Sequence, residues 1–175
     1  KSMIMDKSIK FGADLINDVS GFDYDSDSLL KLKDKNISKV LHHMQGTPNT
    51  MQTNPKYQNV LLDIYDYFEN GINNKFKDKK IILDPGIGFG KTLKHNLTLI
   101  SNISLFHSLG LPILVGTSRK RFINQISGKF DSEDRTGGTV ASVIYLLSQG
   151  VQIFRVHNVE EVKQGTLVFE KLLNK

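Results

Sequence analysis

The sequence predicts an α/β fold of parallel strands, and two features of it do so. Short apolar runs rich in Ile and Val alternate with longer amphipathic stretches about five times, and nearly every run ends in a cluster of polar residues. The runs at 13–19, 37–41, 80–83, 111–115 and 151–156 read as strands, because each is too short for a buried helix. Between them, 26–32, 57–73, 96–108, 133–149 and 160–173 carry helical periodicity. Terminal signals agree at the fourth helix: Ser132 precedes the acids Glu133 and Asp134 as an N-terminal residue should, and Gly150 follows the last periodic residue as a C-terminal glycine should. A repeated β-α order implies parallel strands joined by right-handed crossovers. No linker rich in Pro, Gly or Ser divides residues 1–175, so one domain is expected. Two architectures fit, a doubly wound open sheet and a (β/α)8 barrel, and 175 residues fall short of the barrel's usual ~200.

Composition narrows the functional classes. Apolar residues make up 39% and charged residues 23%, the balance of a globular chain with a core and not of a disordered one. The absence of Cys excludes disulfides, thiolate catalysis and Cys-ligated zinc within this sequence, and a reducing cytoplasm is the expected compartment. No apolar stretch approaches the ~18 residues that span a bilayer, so membrane insertion is not expected. The net charge of +5 comes in large part from solvated Lys runs, namely Lys31, Lys33, Lys35 and Lys75, Lys77, Lys79, Lys80. No aromatic residues interleave with them in the manner of single-strand binders, and nucleic acid is not an expected partner.

The polar clusters at the strand ends are Asn17-Asp18, His42 to Gly46, Asp84-Pro85-Gly86, Ser118-Arg119-Lys120 and Arg155-Val156-His157. In parallel α/β folds the carboxyl ends of the strands form the active site, so these clusters are expected to converge on one mouth. The loop from Asp84 to Lys91 resembles a phosphate loop but fails its spacing, since three residues separate Gly86 from Gly90 where four are required, and Lys91 stands where a dinucleotide fingerprint needs its third Gly. It reads as backbone held close to a flat ligand, with Asp84 accepting two parallel N–H bonds; capping of its own turn is the plainer role for Asp84. Cations at Arg119, Lys120 and Arg121 open the next helix against its dipole, which suggests an anion they serve together, with Ser118 as a simple N-cap the alternative. Arg155 and His157, two apart on a strand, point to one face as a fork for phosphate or pyrophosphate, or else are a paired Arg and a satisfied His. Asn17 suits the edge of a heterocycle, while Asp18 points away and caps the next helix. His42 and His43 lie on opposite faces and do not share a metal; His43 is read as packed or hydrogen-bonded.

In order and spacing, Leu15-Ile-Asn-Asp-Val-Ser20, Leu41-His-His-Met-Gln-Gly46, Leu83-Asp-Pro-Gly-Ile-Gly-Phe-Gly-Lys91, Val115-Gly-Thr-Ser-Arg-Lys120 and Arg155-Val-His-Asn158 resemble the dihydropteroate synthases. The resemblance implies a (β/α)8 barrel, here incomplete, with about five βα units corresponding to strands 4 to 8. It also implies condensation of 6-hydroxymethyl-7,8-dihydropterin pyrophosphate with p-aminobenzoate, with Mg²⁺ present, in an enzyme that is a homodimer at full length. By the same resemblance Asn17, Asp84 and Lys120 hold the pterin, with Gly88, Gly116 and Ser118 in the binding loops, while Arg155 and His157 take the pyrophosphate and join Lys120 as the catalytic set. Phe89, Lys120 and Arg121 lie near the p-aminobenzoate pocket, and Arg121 replaces a small residue, often Ser. His42 replaces a Met that packs near the pterin in relatives.

The resemblance has a gap. The family's opening strands, with an Asn-Val-Thr-Pro-Asp-Ser-Phe segment and the metal-binding Asn, have no counterpart here, so no metal ligand is expected in this chain. Five strands alone expose two edges, from which association and a lack of synthase activity are expected. A pterin-dependent methyltransfer domain and a non-catalytic pterin-binding half-barrel are the alternative functions.

Overall fold

The computed structural model describes residues 1–32, 35–76, 80–128 and 131–173; Lys33, Lys77 and Lys79 of the basic runs lie outside them. In chain order the elements are α1 (Ser2–Lys10), β1 (Leu15–Asp18), α2 (Asp27–Leu32), β2 (Ser38–His42), α3 (Val60–Asn74), β3 (Ile81–Asp84), α4 (Leu93–Ser101), β4 (Leu114–Val115), α5 (Arg121–Ser127), α6 (Thr136–Ser148), β5 (Ile153–Phe154) and α7 (Val159–Leu173), with 3₁₀ turns at Ile103–Leu109 and Glu133–Arg135. Strands β1, β2 and β3 pair in parallel, as do β4 and β5, and a parallel bridge from Leu83 to Ile113 joins the two groups. The result is part of a (β/α)8 barrel wall with helices on its outer side.

Strand register decides which residues face the barrel axis. Asn17, Val40 and Ile82 share one level, and His42 lies opposite Asp84 one step further on. Val40, Ile82, Leu114 and Ile153 make a small inner cluster. The alternate positions Ile16, Leu41, Ile81, Leu83, Ile113 and Val115 face outward into the main core with the helices. Period-two alternation therefore puts a polar residue at the inner end of several strands, directly above an apolar floor.

Helix α3 shows how the outer layer is held. Val60, Ile64, Phe68 and Gly71 recur on one face and are buried. Gly71 is required because a Cβ there would stand 2.6 Å from a methyl of Leu41, so the helix lies directly on β2. Phe68 meets Phe106 edge to face at 5.4 Å, joining α3 to the segment after α4; such a pair adds ~0.5–1.5 kcal/mol to the burial of the rings.

Boundaries differ from the sequence expectation where local capping intervenes. The second expected helix starts at Val60 instead of 57, because Asn59 is extended and its side chain accepts from the amides of Leu61 and Leu62. The third begins at Leu93 and not 96, under a reciprocal capping box between Thr92 and His95, and breaks at Asn102 into the 3₁₀ turn. Ser132 makes no side-chain cap, and the fourth helix becomes α only at Thr136. Gly150, at φ 85°, does end that helix. Strands β4 and β5 are only two residues each.

Candidate active site

A cavity of about 340 Å³ opens at the carboxyl end of the strands. Asn17 and Val19 from the end of β1, Phe89 from the loop after β3, Gly116, Ser118 and Lys120 after β4, and Arg155, Val156 and His157 after β5 line it. Three of the five expected clusters, at Asn17, at Ser118 with Lys120, and at Arg155 to His157, converge on it, whereas Met44 and Gly46 of the second line a separate cavity of about 380 Å³.

Asp84 is fully buried and meets this cavity through Arg155, which lines it. Its Oδ1 accepts from the amide of Gly86 at 2.8 Å, so the turn-capping role is real but occupies one oxygen only. Oδ2 has an ion-pair partner, Arg155 Nη2 at 3.0 Å, which lies off the hydrogen-bond line; among the described residues no donor is aligned on it. Arg155 Nη1 also donates to Asn17 Oδ1 at 2.6 Å, which ties the last strand to the first. Gly116 makes room for this reach, since a Cβ there would sit 3.0 Å from Arg155 Nη2. Arg155 is thus seated on the two residues expected to hold a heterocycle, not apart from them.

The loop from Asp84 to Lys91 is held from below. Gly86 has φ 66° and a Cβ there would collide with the His43 carbonyl, so only glycine fits. Gly88 donates its N–H to Asn96 Oδ1 at 2.7 Å and packs on the Lys120 stem. Lys91 is buried and its Nζ donates to the Phe89 carbonyl at 2.9 Å and to His43 Nδ1 at 3.0 Å. Burial pulls the Lys91 ammonium down to about 7, with Asp84 opposing the shift and Lys120 adding to it. His43, also buried and beside Lys91, is driven down to about 2 and stays neutral, the packed histidine expected.

Phe89 is the platform of the cavity. Lys120 Nζ lies 4.2 Å from its ring centroid, a cation–π distance, and His42 packs against it edge-on at 4.6 Å. Burial, reinforced by Arg155 and opposed by Asp84, lowers the Lys120 pKa. His42 donates from Nδ1 to the Val19 carbonyl at 3.0 Å, which leaves Nε2 as a buried acceptor 3.9 Å from Asp84 Oδ2. Burial lowers the His42 pKa, so two acceptors face each other here, an arrangement that calls for a donor edge.

Several expectations change. The cations after β4 do not act together: Arg119, at φ 57°, bonds Glu133 at 2.5 Å and Asn158 at 2.9 Å, and only Lys120 faces the cavity. Arg121 lines a separate cavity of about 230 Å³ with Gly88 and Lys91, because it begins α5 on the far side of Lys120. Ser118 is not the helix cap, a position held by Lys120; its hydroxyl meets His157 Nδ1 at 2.9 Å. Asp18 caps no helix and instead binds Lys1 Nζ and Ser20. Lys91 and Asn96 were absent from the expected site, and nothing in their spacing marks them as supports of the Gly-rich loop.

A family model described as pterin binding enzyme matches residues 1–157. The chain belongs to this pterin-binding enzyme family. Among curated relatives, the dihydropteroate synthase of Escherichia coli (strain K12) is 37% identical over 178 residues, spanning 99% of this chain and 62% of the relative. A solved dihydropteroate synthase from Yersinia pestis in a sulfonamide drug complex superposes with a TM-score of 0.93 at 35% identity, covering 99% of this chain and 64% of that one. The Thermus thermophilus enzyme in complex with 4-aminobenzoate also gives 0.93, at 34% identity, covering 98% and 68%. The chain therefore spans about three fifths of the length of the curated relatives it matches.

Proposed function

We propose that the chain carries the pterin- and pyrophosphate-recognising part of a dihydropteroate synthase, joining 6-hydroxymethyl-7,8-dihydropterin pyrophosphate to p-aminobenzoate to give 7,8-dihydropteroate and pyrophosphate. The observation that carries this reading is the buried Asp84, whose Oδ2 lacks an aligned donor and ion-pairs with Arg155 of the cavity that Asn17 and Lys120 also line. The aminopyrimidinone edge of a pterin presents two parallel N–H donors, which one carboxylate accepts. Such an edge takes the place of the single Arg155 Nη2 contact on Oδ2 and frees that group for the phosphates of the leaving group.

In the reaction the p-aminobenzoate nitrogen forms a bond to the pterin methylene as the C–O bond to pyrophosphate breaks, and the amine loses a proton. The residues' task is to hold the ring, neutralise the leaving group and exclude water. Arg155 and His157 serve the leaving group, Lys120 holds the ring with Asn17 and Asp84, and Phe89 supplies a flat wall. Mg²⁺ belongs to this proposal by resemblance only: among the described residues no group of three His, Asp or Glu side chains is placed to hold a metal ion, and no step here is routed through one. A cytoplasmic setting and small-molecule partners, without nucleic acid, complete the reading. A homodimer is also part of it, supported by exposed Leu167, Val168 and Leu172 on α7. No helix among the described residues is long and apolar enough to cross a membrane.

Calorimetric titration tests the proposal. The pyrophosphate ester is expected to bind at least ~10-fold more tightly than 6-hydroxymethyl-7,8-dihydropterin itself, because charge-assisted bonds to the leaving group contribute ~1.5–3 kcal/mol. Equal affinity for the two favours a methyltransfer role, and no affinity for either removes the reading.

A further inference from the structure

Ser118 is 4% exposed, and its hydroxyl makes two contacts with one residue: it accepts from the backbone N–H of His157 at 3.1 Å and lies 2.9 Å from His157 Nδ1. A hydroxyl has one proton to give. If Nδ1 carried the ring proton, the oxygen would accept twice and its own proton would be left without an acceptor in a buried place, at a cost of ~1–3 kcal/mol. If the hydroxyl donates to Nδ1, every group is satisfied and the ring proton resides on Nε2.

From this we infer that Ser118 is a positioning residue that fixes His157 as the Nε2–H tautomer and presents that N–H to the cavity as a donor for a diphosphate leaving group. His157 lines the cavity together with Lys120 and Arg155, and among the described residues no side-chain partner takes its Nε2. The imidazole then reaches the cavity as an oriented donor beside two cations, so it adds direction where they add charge. The identity of the anion rests on the proposed function; the tautomer does not.

Nitrogen-15 NMR of the whole 175-residue chain with labelled histidine tests the inference at neutral pH. The expected result is an unprotonated Nδ1 and a protonated Nε2 for His157, assigned by its loss in His157→Gln. Ser118→Ala is expected to mix the two tautomers and to weaken binding of inorganic pyrophosphate by roughly 10-fold, while Ser118→Thr, which keeps the hydroxyl, restores both. A protonated Nδ1 in the unaltered chain overturns the inference without recourse to any variant. So does a Ser118→Ala chain that folds, melts normally and keeps the Nε2–H signature. The predicted tautomer in a chain with no affinity for pyrophosphate supports the role of Ser118 and counts against the proposed function.

Discussion

Arg155, just beyond the last strand, and Asp84, at the end of the third, form an ion pair across the mouth of the barrel, with Nη2 and Oδ2 3.0 Å apart and the carboxylate fully buried. Oδ1 accepts from the Gly86 amide, while Oδ2 has this off-line guanidinium contact and no aligned donor among the described residues. Replacing Asp84 by Asn keeps an oxygen for the Gly86 amide but removes the charge and one acceptor. Pterin affinity is expected to fall ~10- to 100-fold in Asp84→Asn, read by calorimetry, with retained circular dichroism. Unchanged affinity would place the pterin elsewhere.

Lys120 contacts the Phe89 ring, and Arg155 and Asp84 both act on its charge. Lys120→Met preserves the apolar stem against Gly88 and Phe89 but not the ammonium. The variant is expected to lose ~10-fold or more in affinity for the free pterin alcohol as well as for the pyrophosphate ester. Loss confined to the pyrophosphate ester would make Lys120 a leaving-group contact and not a ring contact.

Three buried bases give stability a pH dependence with a definite sign. The unfolded chain protonates His43 below ~6.5, whereas the folded chain resists this down to about 2. The contribution of His43 is thus full above ~6.5 and is lost progressively as the pH falls toward 2, and His42 acts in the same direction. Lys91 titrates near 7 when folded and near ~10.4 when unfolded. Between those values the unfolded chain carries a proton that the folded chain lacks, so this contribution rises with pH across the interval. Urea midpoints measured across this range are expected to show a flatter acid limb in His43→Gln and a flatter alkaline limb in Lys91→Met; parallel curves would contradict the assignment.

Gly86 in the Gly-rich loop and Gly128 at the end of α5 separate conformational from steric demands. Gly86 and Gly128 both have positive φ, at 66° and 72°, but a Cβ at Gly86 meets the His43 carbonyl whereas one at Gly128 meets nothing. Gly128→Ala is expected to cost ~1 kcal/mol, and Gly86→Ala ~3 kcal/mol or more with loss of pterin binding. Comparable melting temperatures for the two would show that the loop is free to move.

Much of this was legible in the sequence because the signals were local. The β-α rhythm gave the parallel strands, and polar residues placed after apolar runs gave the mouth: Asn17, Ser118, Lys120, Arg155 and His157 all arrive there. What was not legible depends on partners distant in the chain. The contact between Arg155 and Asn17 spans 138 residues, and no spacing rule reports it. Arg119 and Arg121 share the charge of Lys120 in sequence, yet a positive-φ residue and a helix start turn them to different neighbours. Lys91 looked like a failed glycine of a nucleotide loop, and its burial beside His43 is a property of the packed loop alone.

The most direct measurement is a crystal structure of the chain soaked with 6-hydroxymethyl-7,8-dihydropterin pyrophosphate. The account predicts the aminopyrimidinone edge on both oxygens of Asp84, the Arg155 guanidinium withdrawn from Asp84 toward the pyrophosphate, and the Nε2 of His157 beside a phosphate oxygen. Ligand bound at another cavity, with the pair of Arg155 and Asp84 intact, would contradict it.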